Sequence, residues 1–432
     1  MPATRRQFIK QSAGAVTASM LIPKFGLTQA FGQSIDPSVN RGHKLVVIQF
    51  AGGNDGLSNL IPYTDSRYYQ LRPDISLQPS DLKDDTGATT MINSELGLHP
   101  RLKEIKQLYD AGKVAIILGV DEGPQMSLSH FEGTTNLAGA GLSGTLPKGG
   151  WLGRYASQAF VGQPGFYAAG IGSLPQMFYS PDSSYVIPSI SSFAQYTLQT
   201  DGRNTRDRNN QITAFTAGNG RTFPAGSFIE TVAGTGAHGF ADSVTIQTET
   251  AKYNPLGYPN TGLGNFLKMI AQLIVTIPTS ALFHCSIGGF DFHQNLVAVV
   301  NGQLNKLVNG QAGLLMQFSQ AVKAFYDDLD AHGLSQNTLI MTYSEFGRRV
   351  QQNGTTGADH GRASAWYVIG GSVHGGIYGQ QPSLAATALD RNGNLVGNID
   401  LRSIYATVLD KWLDHDSKSV LDATYPDLGF LG

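Results

Sequence analysis

Residues 44–56 read Lys44-Leu45-Val46-Val47-Ile48-Gln49-Phe50-Ala51-Gly52-Gly53-Asn54-Asp55-Gly56, an apolar run of strand length that breaks directly into a glycine-rich turn carrying an acid. The arrangement recurs along the chain. Ala281 to Ile287 leads into Gly288-Gly289-Phe290-Asp291-Phe292-His293, and Thr338 to Tyr343 leads into Ser344-Glu345-Phe346-Gly347-Arg348-Arg349. Asp359-His360-Gly361-Arg362 stands just before the run Trp366 to Ile369. In open α/β sheets the ligand crevice lies outside the carboxyl ends of the strands, where residues distant in sequence converge. The pattern therefore predicts a metal-centred hydrolytic site at that edge.

Working outward, Leu102 to Tyr109 reads as a helix and Val114 to Leu118 as a second strand, so the chain opens as a βαβ unit after a linker that runs to about Gly42. Ser129 precedes Glu132 by three residues, the spacing of a capping box at a helix start. Gly133 to Gly150 reads as loop. From about Ser173 to Tyr258 the chain is rich in small polar residues without sustained periodicity, which reads as a cap or insertion with little regular structure. Helices are expected over Leu263 to Ile277, Leu314 to Ala331 and Leu401 to Leu413. Strands alternating with helices predict an α/β fold: a mostly parallel central sheet with helices on both faces and an irregular insertion over about 173–258. A single domain is expected over residues 33–432.

Thr4-Arg5-Arg6-Gln7-Phe8-Ile9-Lys10, followed by a weakly apolar stretch from Ser12 to Ile22, reads as a twin-arginine signal over residues 1–32. The translocase that reads such signals is then a transient partner, and the destination is periplasmic or extracellular. The apolar stretch is too short to span a bilayer, so no stable transmembrane anchor is expected. A formal net charge of -2 supplies no basic field for nucleic acid. Cys285 is the sole cysteine, which excludes an intrachain disulfide, and its place in an apolar run marks a buried, inert thiol.

The clusters carry the chemistry. Asp291 and His293 are two apart, so in an extended segment both side chains leave on the same side and can share a cation. Carboxylate and imidazole together suit zinc, manganese or another divalent first-row metal, whereas an all-oxygen site favours magnesium or calcium. Glu345 follows an apolar strand almost directly, where a carboxylate is paired to an arginine or bound to metal. Asp359 and His360 lie in a glycine-rich loop; if His360 is a ligand, Asp359 sits beside it or supports it. Asp55 is a ligand candidate by its place after the first strand, or a turn former. For a nucleophile, Ser129 at a helix start comes first and Ser127 second, since free N–H groups and the helix dipole favour an anionic substrate there; both also fit a simple capping role. Arg154, Arg348 and Arg362 are candidates for gripping phosphate or sulfate oxygens.

Thr4-Arg5-Arg6-Gln7-Phe8, Gly52-Gly53-Asn54-Asp55-Gly56-Leu57 with Ile61-Pro62, Ser129-His130-Phe131, Gly150-Trp151-Leu152-Gly153-Arg154, Gly289-Phe290-Asp291-Phe292-His293, Ser344-Glu345-Phe346-Gly347-Arg348 and Asp359-His360-Gly361-Arg362 resemble the bacterial exported family called domain of unknown function 1501. That family is placed in the alkaline phosphatase and sulfatase superfamily. The resemblance implies an alkaline phosphatase-like fold, a serine, threonine or modified cysteine nucleophile and one or two divalent metals. By it, Asp55 and Glu345 would hold one metal, Asp291, His293 and His360 the other, and Ser129 would be the nucleophile. The chain departs from the superfamily in having Asp291-Phe292-His293 for the usual Asp-x-x-x-His, and Glu345-Phe346 for the usual Asp-His pair. The formylglycine signature of sulfatases is absent around Ser127 to Phe131, which disfavours an ordinary sulfatase.

Gly139-Ala140-Gly141-Leu142-Ser143-Gly144 matches a dinucleotide fingerprint by letter, but no strand precedes it and no helical pattern follows. An iron–sulfur or haem oxidoreductase would need cysteines the chain lacks. The expectation is a periplasmic metal-dependent hydrolase of small-molecule or glycan phosphate or sulfate esters. Its rival is a non-catalytic exported protein that uses the same fold to bind metal or glycan.

Overall fold

The computed structural model describes residues 42–124, 126–141, 149–160, 162–163, 165–181, 185 and 187–432. The twin-arginine segment, the linker before Gly42 and residues 142–144 of the glycine run lie outside the described residues. A nine-stranded mixed sheet forms the centre. Its strands are β1 (Lys44–Ala51), β2 (Val114–Asp121), β3 (Ala168–Ile171), β4 (Ser189–Ile190), β5 (Leu282–Gly288), β6 (Thr338–Tyr343), β7 (Ser364–Gly370), β8 (Gly376–Tyr378) and β9 (Ile399–Asp400). They lie in the order β8-β2-β7-β6-β1-β5-β3-β4, with β9 also on β2.

β1 is parallel to both neighbours, Leu45 standing opposite Leu282 of β5 and Leu339 of β6. Being buried on both faces, it must be apolar on both, which explains a continuous rather than alternating run. Val46, Ile48 and Phe50 enter one core with the helices Lys103–Asp110, Gly262–Thr276 and Gly310–Ala331. Leu45 and Val47 enter the opposite core with the helices Trp151–Ala159 and Leu401–Thr407. β7 alone among the long strands runs antiparallel, pairing with β6 on one side and β2 on the other. Its direction places the residues that precede it, Asp359 to Arg362, at the edge where β1, β5 and β6 end.

Three sequence expectations are revised. β1 and β2 are separated by β6 and β7, so the opening βαβ unit is split by strands from the far end of the chain. Residues 133–139, expected as loop, continue the helix His130–Gly139, which ends on Ala140 in the left-handed region. The region 173–258 is not short of regular structure. It holds the helices Thr205–Asn219 and Phe228–Thr250, the first with no buried residue and the second with only Ala233, Ser243, Ile246 and Thr250 buried. Without a buried stripe there is no hydrophobic period to read.

β2 delivers Asp121 and Glu122 to the same edge. Asp121 accepts from Arg362 at 2.9 Å and from the backbone N–H groups of Gly123 and Gly397. Glu122 is buried beside the Asn136 side chain, and neither of its carboxyl oxygens has a well-formed hydrogen-bond partner. Burial pushes this acid up from 4.5 to about 8. The folded chain therefore binds more protons than the unfolded one between those values, so stability falls as pH rises through that window. Urea midpoints measured from about pH 5 to 9 are expected to fall for the wild type and to lose this contribution in Glu122→Gln. Parallel pH profiles for the two proteins would refute the assignment.

Candidate metal centre at the carboxyl edge

The turn after β1 is set by glycine. Gly52 and Gly53 have φ of +123° and +79°, and a Cβ on Gly53 would lie 2.2 Å from the Phe346 ring. This close approach lets Arg348 reach into the turn. Its Nε donates to Gly53 O at 2.6 Å, Nη1 to Ala358 O at 3.0 Å, and Nη2 to Gly52 O, to Phe290 O at 3.2 Å and to Asp291 Oδ1 at 2.6 Å. One buried guanidinium thus joins the segments that follow β1, β5 and β6.

On that support the side chains converge. Asp291 Oδ1 lies 3.3 Å from His293 Nε2 and 3.4 Å from His360 Nε2, and Oδ2 lies 3.5 Å from His130 Nε2. His130, Asp291 and His360 each offer a ligand atom within 4.8 Å of the others, which fits one cation. His293 extends the group, its Nε2 being 2.8 Å from His360 Nε2 and its Nδ1 3.4 Å from Asp359 Oδ1. His360 Nδ1 contacts the Leu128 carbonyl at 2.7 Å, so this nitrogen carries the proton and Nε2 turns its lone pair to the cluster. Two imidazole nitrogens face to face either share one proton or share a metal, and the donor set of imidazole and carboxylate suits zinc or a similar divalent ion.

The electrostatics match. Burial opposes ionisation of Asp291, but Arg348, then His360 and His293, outweigh it and hold the carboxyl below its usual range. Burial pushes His360 down, and although the Leu128 carbonyl works the other way the net effect favours the neutral ring that a ligand needs. Asp359 is lowered chiefly by its hydrogen bond from Asn353.

Other residues expected at the site stand differently. Asp55 is buried in an ion pair with Arg72, at 2.5 and 2.9 Å, and accepts from Ser58 Oγ, so its oxygens are committed away from the cluster. Glu345 is buried and pairs with neither Arg348 nor Arg349. Its Oε1 accepts from Gly52 N at 2.7 Å and contacts His130 Nδ1 at 2.8 Å, which orients the imidazole rather than adding a ligand. Arg154 donates to the carbonyls of Val420, Gly149 and Gly139, and Arg362 bonds Asp121. Arg154 and Arg348 are therefore consumed in holding the fold together, while Arg362 is tied to Asp121 through Nη2 and its buried Nε has no hydrogen-bond partner.

Ser129 takes the N-cap position of the helix His130–Gly139, but its side chain makes no capping hydrogen bond. The capping box is absent because Glu132 accepts instead from Ser127 Oγ at 2.7 Å, which in turn accepts from Ser129 N. Ser129 is exposed, next in sequence to His130. His130 was missed as a ligand because the capping reading absorbed its segment; its place at a helix start just after β2 was the available signal.

Residues 269–423 match the family model described as "Protein of unknown function (DUF1501)". No curated protein matches the chain. Solved structures similar to it include the C-terminal periplasmic domain of EcEptC from Escherichia coli in complex with zinc, at 9% identity over 76% of this chain and 72% of that one, with a TM-score of 0.33. Ps i-CgsB in complex with a neocarrahexaose has 11% identity over 89% and 73%, with a TM-score of 0.35. The alkaline phosphatase from the Antarctic bacterium TAB5 has 12% identity over 76% and 91%, with a TM-score of 0.29. All three likenesses are distant. Among the described residues, no helix is long and apolar enough to cross a membrane.

Removing Arg348 would leave Asp291 uncompensated and several carbonyls unpaired. Arg348→Ala is expected to lose about 3–5 kcal/mol in urea denaturation followed by tryptophan fluorescence. A loss below about 1 kcal/mol would contradict the clamp.

Proposed function

We propose that the protein is a metal-dependent hydrolase of phosphate or sulfate esters, exported to the periplasm, with Ser129 as nucleophile. The observation that carries this reading is the meeting of His130, Asp291 and His360, with His293 beside them, next to a helix-start serine whose hydroxyl is uncommitted. His130, Asp291 and His360 would hold the metal, His293 and Asp359 flanking them. A bound divalent ion would supply Lewis acidity toward an ester oxygen.

The chain's own residues do the rest. Leu128 O and Glu345 Oε1 fix the rings of His360 and His130, so each presents Nε2. The helix start at Ser129 favours negative charge on an incoming substrate. Ser129 Oγ attacks phosphorus or sulfur and gives up its proton, the serine ester forms as the bond to the leaving oxygen breaks, and the departing alcohol takes up a proton in place of that bond; water then cleaves the serine ester, releasing phosphate or sulfate and restoring the serine O–H.

Elemental analysis of the full-length protein and of Asp291→Ala should find a divalent metal in the first and little or none in the second. Ser129→Ala should abolish ester cleavage while leaving metal content and melting temperature unchanged. A wild type that stays metal-free after reconstitution sinks the proposal, and metal binding without cleavage of any ester would leave a metal- or glycan-binding role.

A further inference from the structure

Phe131 is the most exposed large apolar side chain among the described residues, with 85% of its surface open to solvent. A lone apolar residue is ordinary on a protein surface. What sets Phe131 apart is its place. It directly follows Ser129 and His130, as the second residue of the helix His130–Gly139, and the amino end of that helix meets the metal-ligand cluster through His130. Every Cα–Cβ bond of a helix leans toward its amino end, so the ring is carried toward Ser129 rather than back along the helix.

The helix is seated firmly, so the ring has a defined position. A Cβ on Gly133 would lie 3.0 Å from the Glu345 carbonyl oxygen and 3.5 Å from the Phe346 ring. Thr135 and Ala138, four and seven residues beyond Phe131, share its face of the helix. Thr135 Oγ1 donates to Gln176 Oε1 at 2.9 Å, and Ala138 packs in a core with Leu137, Met177 and Phe178. The face is thus covered further along and bare where it reaches the cluster. The cluster itself opens to solvent, since the side chains of Asp291 and His293 are about half exposed.

We propose that Phe131 receives the leaving group, and that the substrate is accordingly the ester of a ring-bearing alcohol, aryl or sugar, whose flat face packs on the phenyl ring; this rests on the hydrolase reading above. Attack in line by Ser129 turns the organic part of the ester outward, to the solvent side where Phe131 stands. Covering the ring removes apolar surface from water on both partners, which favours a ring over a small alkyl group. Phe131 takes no part in the bond-making step; it selects what departs.

The test is calorimetric titration of benzylphosphonate and methylphosphonate, and of phenylmethanesulfonate and methanesulfonate, into the zinc-loaded wild type, Phe131→Ala and Phe131→Trp. In each compound a carbon replaces the ester oxygen, so binding is read apart from turnover. The wild type is expected to prefer the ring-bearing member of a pair by about tenfold or more, Phe131→Ala to lose that preference and Phe131→Trp to keep it. Zinc content and melting temperature should hold in both variants, because the ring is exposed. Phenyl phosphate and glucose 1-phosphate titrated into Ser129→Ala then tell an aryl ring from a sugar ring. Equal binding of ring-bearing and methyl compounds by the wild type, or a preference that survives in Phe131→Ala, overturns the assignment and leaves the hydrolase reading intact. A wild type that binds none of the four compounds removes both.

Discussion

Everything at the carboxyl edge depends on the buried guanidinium of Arg348. The segments after β1, β5 and β6 each end in a turn whose carbonyls point inward, where unpaired oxygens would be costly. Arg348 satisfies Gly52, Gly53, Phe290 and Ala358 together and bonds Asp291 in the same gesture. The glycines at 52 and 53 exist for this contact, since any side chain there would meet Phe346 or the backbone of Phe290 and Asp291. Asp291 consequently has one oxygen anchored to the framework and the other directed to His130.

The cluster is layered by charge. Imidazoles line it, a buried carboxylate behind His130 orienting one ring and a backbone carbonyl orienting that of His360. The half-exposed acids Asp291 and Asp359 supply the negative charge that draws in a cation. Phe346 packs against His130 and His360, with ring centroids 4.8 and 4.4 Å apart, and so limits how far either ring can turn. Such support is what a site needs if its ligands are to be held without the ion.

Much of this is legible in the amino-acid sequence. The runs around Val46, Ser286 and Ile340 announced strands because central strands of a parallel sheet are apolar throughout, and the polar residues after them marked the edge. What the sequence could not convey was which polar residues bond to one another. Asp55 and Asp291 follow their strands in similar glycine turns, yet Asp55 has both oxygens held by Arg72, seventeen residues on, whereas Asp291 gives only Oδ1 to Arg348 and turns Oδ2 to His130. Arg348 and Arg349 are adjacent and identical, yet Arg348 fills a cage of carbonyls whereas the Arg349 Nε has no hydrogen-bond partner. His130 was hidden for a different reason, since a histidine at a helix start has no signature until the strand before it is placed. The helices Thr205–Asn219 and Phe228–Thr250 escaped detection because they bury almost nothing.

The antiparallel course of β7 also shapes the order of assembly. Among the described residues, β1 pairs only with strands that begin at Leu282 and Thr338, and β2 only with strands that begin at Ser364, Gly376 and Ile399. Among these residues, β1 thus has no sheet partner until the strand beginning at Leu282 has emerged, and β2 none until the strand beginning at Ser364 has. Pairings so distant in sequence carry a high loop-closure cost and fold slowly. The nascent chain must therefore keep two strongly apolar segments out of wrong associations for most of its synthesis.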